Sequence, residues 1–285
     1  MADYDLSVCI VTWNTRHLLA RCLATLQAAY GSLRVQTIVV DNASSDGTAQ
    51  MVAEQFPDVQ LIVNAENRYY AAANNQALAA AQAPLKLLLN SDIEVPPDGL
   101  EALAAFMAHH PKAGAVAPRL VYPDGRLQRS CRSFPDPDVV LYEFLGLSRI
   151  APRSRIFGKY RMTWWDYGDA RPVDQPMASA LLLRSAALDE VGVFDEQFPM
   201  YFNDVDLCRR LWDAGWEVWY TPQVAYVHHH GASTRQVRRV MIAESGRSFL
   251  RYYQKHYRGR VSWPAYMAAT GALRLAYGLR ILLGR

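Results

Sequence analysis

Apolar and polar positions follow two different periods along the first half of the chain. Leu6 to Thr12 is an apolar, β-branched run that stops at Trp13-Asn14-Thr15, and Val35 to Val40 is a second run that stops at Asp41-Asn42. A third, Val59 to Val63, ends at Asn64, and a fourth, Leu87-Leu88-Leu89, ends abruptly at Asn90-Ser91-Asp92. Short apolar runs bounded by polar turn residues read as strands buried on both faces of a parallel sheet. Between the runs the period lengthens. Leu18, Leu19, Cys22, Leu23 and Leu26 recur at helical spacing, and Ala43-Ser44-Ser45-Asp46-Gly47-Thr48 is a turn cluster that offers N-caps to a helix carrying Met51 and Val52. The alanine-rich segment Tyr70 to Ala83 is helical by propensity; Leu100 to His109 reads as a further helix, and a short strand follows around Val116. Alternating strands and helices with short connections predict an α/β fold with a right-handed, mostly parallel central sheet flanked by helices.

From Tyr122 to Pro176 the periodicity fades. Five prolines from Pro123 to Pro172 interrupt it and seven arginines from Arg126 to Arg161 recur through it. A connection of this length inside a compact domain is usually functional or mobile, so residues 122–176 read as an irregular, partly helical excursion (Val139 to Leu147) that rims a site. Order returns with a strand at Ala178 to Arg184 and a short helix ending at Gly192. An aromatic run then leads to Asn203-Asp204-Val205-Asp206-Leu207. Leu207, Leu211 and Trp212 share a helical face, which puts Asn203 or Asp204 at that helix's N-terminus. Glu217 to Tyr220 is a strand, and Val227 leads into His228-His229-His230-Gly231-Ala232-Ser233.

Charge divides the chain. From Arg235 to the end there are eleven Lys or Arg residues and one acid, Glu244; residues 1–234 carry a net −7. The expected organisation is a catalytic body over 1–234 and a basic helical C-terminal tail over 235–285, with an anionic surface as the tail's partner. The body offers no nucleic-acid-binding motif, so a membrane is expected and nucleic acid is not. The tail's longest uncharged stretch, Val261 to Leu273, is too short to span a bilayer, which suits an interfacial helix on the inner leaflet; a helix packed on the body is the alternative. The N-terminus has acids where a signal peptide would have a basic region, and the four cysteines show no metal-type spacing. Both features suit a protein of the reducing cytoplasm.

Two strands end in acids, Asp41 and Asp92, and ligands of open α/β sheets bind beyond the carboxyl ends of the strands. Asn90 and Asp92 read either as a strand-ending turn with a capping acid, or as an amide and a carboxylate placed to hold a sugar hydroxyl and a metal ion. No GxGxxG and no GxxxxGK[ST] occurs. The two usual backbone cradles for phosphate are therefore absent, and a site of acids without a glycine loop needs a divalent cation to hold a diphosphate.

Taken in order, Val11-Thr12-Trp13-Asn14, Val40-Asp41-Asn42 with Ala43 to Thr48, Asn74-Asn75-Gln76, Leu89-Asn90-Ser91-Asp92, Val191 to Glu196, Tyr201 to Leu207 and His228 to Ser233 resemble the family 2 glycosyltransferases of the GT-A fold, rhamnosyltransferase-like members above all. The resemblance covers about residues 5 to 235. Each motif is weak alone, and their order and spacing make the match specific.

The resemblance implies an inverting transfer of a sugar from a nucleotide diphosphate sugar to a hydroxyl of a saccharide or lipid-linked saccharide acceptor of the cell surface. Asp41 would accept a hydrogen bond from the nucleobase, Asn90 would lie nearer the ribose, and Thr12, Asn14, Asn42, Asn75 and Ser91 would complete the nucleotide-sugar site. Asp92, with His228 heading His-x-x-Gly-x-Ser, would hold a divalent metal ion, Mg or Mn. Asp204 would be the catalytic base, held ionised by the helix dipole, while Asp206 would point away and serve the helix N-terminus. Three positions depart from the pattern: Asn203 replaces the usual Glu, Tyr69 replaces a common glycine and would crowd the nucleotide side, and Ala178-Ser179 replaces a Gly-Ala pair. Asn203 and Tyr69 motivate an alternative, a nucleotide-sugar-binding protein with impaired catalysis. A nucleotidyltransferase would carry a glycine-rich loop where Trp13-Asn14-Thr15 stands.

Overall fold

A computed structural model describes residues 3–229 and 238–283. The chain opens with β1 (Leu6–Thr12), α1 (Arg16–Ala28), β2 (Val35–Asp41), α2 (Thr48–Gln55), β3 (Gln60–Val63), α3 (Tyr69–Ala80) and β4 (Leu85–Asn90). β5 (Ile93–Glu94), α4 (Gly99–His109) and β6 (Ala113–Val121) follow. The excursion contains β7 (Leu127–Gln128), β8 (Cys131–Arg132), α5 (Pro137–Phe144), α6 (Leu147–Ile150), β9 (Arg171–Pro172) and β10 (Gln175–Pro176). Then come β11 (Ala180–Arg184), α7 (Ser185–Val191), α8 (Asn203–Asp213) and β12 (Glu217–His228), and last α9 (Arg238–His256) and α10 (Trp263–Leu283).

The main sheet runs β3-β2-β1-β4-β11-β6-β12-β5, with β7 and β9 added at its margins. β1 pairs in parallel with β2 and β4, and β2 with β3. β11 enters antiparallel between β4 and β6, and so joins the parallel half to the β6–β12 half. Side chains of successive strand residues go to opposite faces, and both faces are covered. Cys9, Ile38, Val40, Leu88, Leu181 and Leu183 pack on one face; Val8, Ile10, Val39, Leu87, Leu89 and Leu182 pack on the other. Double burial explains why these strands read as continuous apolar runs. Truncating one such residue, Leu88→Ala for example, costs about 2–5 kcal/mol of stability.

Helices α1, α2 and α4 cover the second face, and α3, α7, α8, α9 and α10 the first. Ala71, Ala73 and Ala77 let α3 lie close over β1 and β2. The excursion is more ordered than its fading periodicity suggests. Trp165 stacks on Tyr167, both ring systems meet Tyr220 edge-on, and all three are buried. Aromatic packing without regular spacing leaves no periodic signal, which is why the sequence shows a loop there.

The C-terminal helices pack on the body, the alternative weighed for the tail. Tyr252 and Tyr253 of α9 are fully buried, and the Tyr253 and Tyr257 hydroxyls donate to the Pro135 carbonyl and to Asp136, each at 2.7 Å. α10 packs against α5 and α9 through Ala269, Ala272 and Leu273. Its Tyr277 ring lies so near Gly246 of α9 that a Cβ there would come within 2.9 Å. No helix among the described residues is long and apolar enough to cross a membrane.

Candidate active site at the carboxyl edge of the sheet

The register aligns Thr12 with Asp41 and Val11 with Asn90, so the ends of three neighbouring strands present Thr12, Asp41 and Asn90 along one edge. A chain of hydroxyls fixes the loops beyond them. Thr12 Oγ1 lies 2.8 Å from Thr15 Oγ1, which lies 3.0 Å from Ser91 Oγ. Asn14, at φ +51°, donates its amide to Ser44 Oγ (2.9 Å) and accepts from the Ser45 amide (2.8 Å). Asn42 is engaged at both ends of its side chain. Nδ2 donates to Asn67 Oδ1 and the Tyr69 carbonyl, and Oδ1 accepts from Asn64 Nδ2 and the Arg68 amide. Asn75 clamps the Phe194 backbone in both directions and donates to Glu196. The side chains of Asn14, Asn42 and Asn75 are thus engaged in holding loops and neighbouring elements together.

Asp41 is different. It is 1% exposed; Oδ2 accepts from the Ser44 amide at 3.2 Å, and Oδ1 is buried with no partner among the described residues. Buried polar atoms are nearly always hydrogen-bonded, and an orphaned acceptor costs about 1–3 kcal/mol. Such an atom has an acceptor position left for a further donor.

The second feature is assembled from distant stretches. β5 pairs antiparallel with the end of β12, aligning His228 with Ile93, and the His229 amide donates to the Asp92 carbonyl at 2.9 Å. His228 Nε2 then lies 3.3 Å from Asp92 Oδ1, both residues being buried. His228 Nδ1 lies 2.8 Å from Gln128 Oε1. An amide oxygen only accepts, so Nδ1 carries the proton and, in the neutral ring, Nε2 presents its lone pair towards Asp92. A lone pair facing a carboxylate oxygen suits a cation shared between them, and the Gln128 bond is the kind of support that orients a ligand histidine. Among the described residues no group of three or more His, Cys, Asp or Glu is arranged for a metal ion. Two protein donors fit a hard divalent cation that takes its other ligands from water and phosphate oxygens. His229 instead meets Glu94 at 2.6 Å, on the carboxylate that Arg21 also holds. His230 to Ser233 lie outside the described residues, so the rest of the His-x-x-Gly-x-Ser motif is not placed.

The third feature is the start of α8. Phe202 turns the chain in the left-handed region (φ +67°) immediately before Asn203. Asn203 is buried and donates to the Phe198 carbonyl at 3.2 Å, a structural bond. Asp204 accepts from the Val205 amide at 2.9 Å and, more weakly, from the Ala178 amide at 3.5 Å. The Ala178 carbonyl in turn accepts from the Tyr70 hydroxyl at 2.9 Å. Burial raises the Tyr70 hydroxyl's pKa, and the charges of Asp204 and Asp92 raise it further, which places both acids within electrostatic reach of one phenol.

Two expectations for this helix are corrected. Burial raises the Asp204 pKa, and the amides of Val205 and Ala178 only partly offset it, so desolvation outweighs the helix dipole. Asp206 does not serve the helix N-terminus. It is fully buried and meets Arg210 (2.9 Å) within α8, and Lys255 and His256 (2.7 Å each) from α9. Burial pushes its pKa up, but the hydrogen bonds from His256 and Lys255 and the Arg210 charge more than reverse this and hold it at about 2. Tyr70, Gln128, Lys255 and His256 were not singled out from the sequence. Tyr70 could have been, as an aromatic heading a helix of alanines; Gln128 has no local signal at all.

Comparisons with known proteins agree with this geometry. The model of the family "Glycosyl transferase family 2" matches residues 7–171. The chain is 33% identical over 245 residues to an N-acetylglucosaminyl-diphospho-decaprenol L-rhamnosyltransferase of Mycobacterium tuberculosis, covering 80% of this chain and 77% of the relative. Among solved structures it is similar to the mannosyltransferase PcManGT from Pyrobaculum calidifontis in complex with GDP-Man and Mn2+ (TM-score 0.59, 20% identity, 98% of this chain and 72% of the other). It is also similar to S. aureus TarS (TM-score 0.55, 18% identity, 97% of this chain and 82% of the other). At these identities the two structures speak for the fold alone, and that fold is GT-A.

Proposed function

The chain belongs to glycosyl transferase family 2 and is a nucleotide-sugar-dependent glycosyltransferase, and from that premise we propose that it moves a sugar, L-rhamnose being the first candidate, from a nucleoside diphosphate donor to a hydroxyl of a lipid-linked saccharide with inversion. One observation carries the reading. The orphaned Asp41 carboxylate oxygen stands on the strand edge that continues, two strands away, into Asp92 with His228. An acceptor for a base at one end and donors for a cation at the other suit a nucleoside diphosphate laid across the strand ends.

Asp92 and His228 would hold the divalent cation, Mg or Mn, which when bound offsets the charge of the leaving diphosphate. Asp204 takes the proton of the acceptor hydroxyl as its oxygen bonds the anomeric carbon, and the diphosphate oxygen leaves from the opposite face with the bonding pair. The raised pKa suits this role, because a carboxylate that holds its proton more tightly is the stronger base. Tyr70, through the Ala178 peptide, keeps the Asp204 carboxylate in place.

Two observations support a lipid-linked acceptor met at the cytoplasmic face of a membrane. The M. tuberculosis relative is named for such an acceptor. And while α10 packs by one side, Trp263 (72% exposed), Met267, Leu275 and Leu279 form an apolar stripe on the other, beside exposed Arg274. At about 100° per residue these positions fan over roughly 160° of the helix surface, the half away from buried Ala269, Ala272 and Leu273, and basic residues near an anionic surface add about 1 kcal/mol each. The test is a panel of nucleotide sugars scored by thermal stabilisation, then transfer to prenyl-diphosphate-linked saccharides. Stabilisation by dTDP-rhamnose with a divalent cation, and an inverted product linkage, are expected. Retention at the anomeric carbon, or stabilisation by no nucleotide sugar, overturns the proposal.

A further inference from the structure

Tyr69 stands where the backbone favours glycine. Its φ of +60° lies in the left-handed region, yet it carries a bulky ring. Such conformations persist where the surroundings hold them, and they gather at ligand sites. The hold is visible: the Tyr69 amide donates to Asn67 Oδ1 (2.9 Å), and its carbonyl accepts from Asn42 Nδ2 (3.0 Å). Asn42 directly follows Asp41, and the same loop is joined to Asp41 by the Asn64 amide, which donates to the Asp41 carbonyl at 2.9 Å. The Tyr69 side chain is nevertheless 46% exposed, and no described aromatic ring stacks on it and no described residue bonds its hydroxyl. An exposed aromatic ring is thus fastened, at the cost of an unfavourable backbone, to the residue beside a buried carboxylate oxygen that lacks a donor.

We propose that Tyr69 is a wall of the nucleobase subsite, its ring lying against a planar heterocycle whose ring N–H donates to Asp41 Oδ1. The inference rests on the nucleotide-sugar reading above and adds the residue that sets nucleotide affinity. Asp41 selects bases that carry a ring N–H, such as uracil, thymine and guanine, because cytosine and adenine turn a ring acceptor towards the carboxylate. Tyr69 supplies stacking area that does not depend on which of these bases is bound.

The sign of two effects makes this testable. In Tyr69→Gly the left-handed backbone becomes easy, so the thermal midpoint holds or rises. The ring is lost, so nucleoside diphosphates bind roughly 10- to 100-fold more weakly, the range of one base–aromatic stack. Calorimetric titration of the full chain with dTDP, UDP, GDP and inorganic diphosphate, each with the divalent cation, reads both ligand ends. Tyr69→Phe keeps the ring and is expected within about threefold of the parent, well under one stack. An unchanged dTDP or UDP affinity in Tyr69→Gly overturns the proposal. So does an equal loss for inorganic diphosphate, which would put the ring's effect at the diphosphate or in the loop's folding. If the parent chain binds none of the nucleoside diphosphates, the donor reading falls as well; if the parent binds and Tyr69→Gly binds equally, only the wall falls.

Discussion

Removing the Asp206 charge tests whether the C-terminal helices hold α8, which carries Asp204. Asp206 has a pKa of about 2 against an ordinary 3.8, and it is fully buried. A difference near two pKa units corresponds to roughly 2.5 kcal/mol of native stability. The folded value is depressed, so this stability is present above the unfolded value near 4 and is lost as pH falls towards 2. Asp206→Asn removes it and leaves Lys255 and His256 facing a neutral amide. Breaking a buried pair by removing one partner typically costs about 3–5 kcal/mol. Lys255 keeps Asp195 at 2.7 Å, and Arg210 keeps the carbonyls of Val191, Gly192 and Val193, so the lower end is expected. Urea unfolding of parent and variant at pH 7 should therefore differ by about 3 kcal/mol, and the gap should narrow steadily between pH 5 and pH 3. Limited proteolysis should cut the variant first within α9. Equal stabilities at pH 7, or a gap that widens as the pH falls, would refute the reasoning.

Further outcomes follow from the other acids and the exposed stripe. Asp204→Asn should lower transfer about 10²–10⁴-fold with donor affinity nearly unchanged, and the parent rate should fall on the acid side at a pH above the usual carboxylate range; a rate flat down to pH 4 removes Asp204 as the base. Asp92→Asn should abolish transfer and divalent-dependent nucleotide binding while the fold stays intact by circular dichroism, and His228→Ala should show a milder form; normal activity in Asp92→Asn means the strand end has been misread. Trp263→Ser with Leu275→Ser should lower co-sedimentation with anionic vesicles without changing transfer to a water-soluble acceptor, and binding insensitive to both substitutions and to anionic lipid ends the membrane proposal.

The parallel half of the fold was legible because its strands are buried twice over. Leu6 to Thr12, Val35 to Asp41 and Leu85 to Asn90 contribute to both core faces, and only a sheet covered on two sides asks for unbroken apolar runs. Their polar terminators were equally visible, and the acids among them, Asp41 and Asp92, were expected to face one crevice. Less was legible past residue 121. The strand beginning at Glu217 continues to His228 through an irregularity between Thr221 and Ala225, and a polar Thr-Pro-Gln at that break masks the continuation. The environment of Asp204 was misjudged for a physical reason. The sequence shows its place at a helix start, while the desolvation that raises its pKa comes from packed neighbours far away in the chain. Asp206 was misjudged the same way, its partners Lys255 and His256 lying in a stretch read as a separate tail.

The two ends of the proposed reaction are built from different parts of the chain. The donor side draws mainly on consecutive parallel strands, with His228 of β12 added at the proposed cation, and residues 7–171, which the family model matches, contain Asp41 and Asp92 but neither Asp204 nor His228. The base must instead be carried to the same crevice by later elements. β11 does this by entering antiparallel beside β4, where the Asn90 amide donates to the Ser179 carbonyl at 2.8 Å. The neighbouring Ala178 peptide then takes the Tyr70 hydroxyl on one side and meets Asp204 on the other. α8 is thus tied at its first turn to the donor strands and, through Asp206, to α9. A carboxylate with a raised pKa can serve as a base only if its helix does not relax to hydrate it, and the Asp206 cluster opposes that relaxation. In the proposed reaction the C-terminal helices would then support the base, whatever surface α10 meets on its other side.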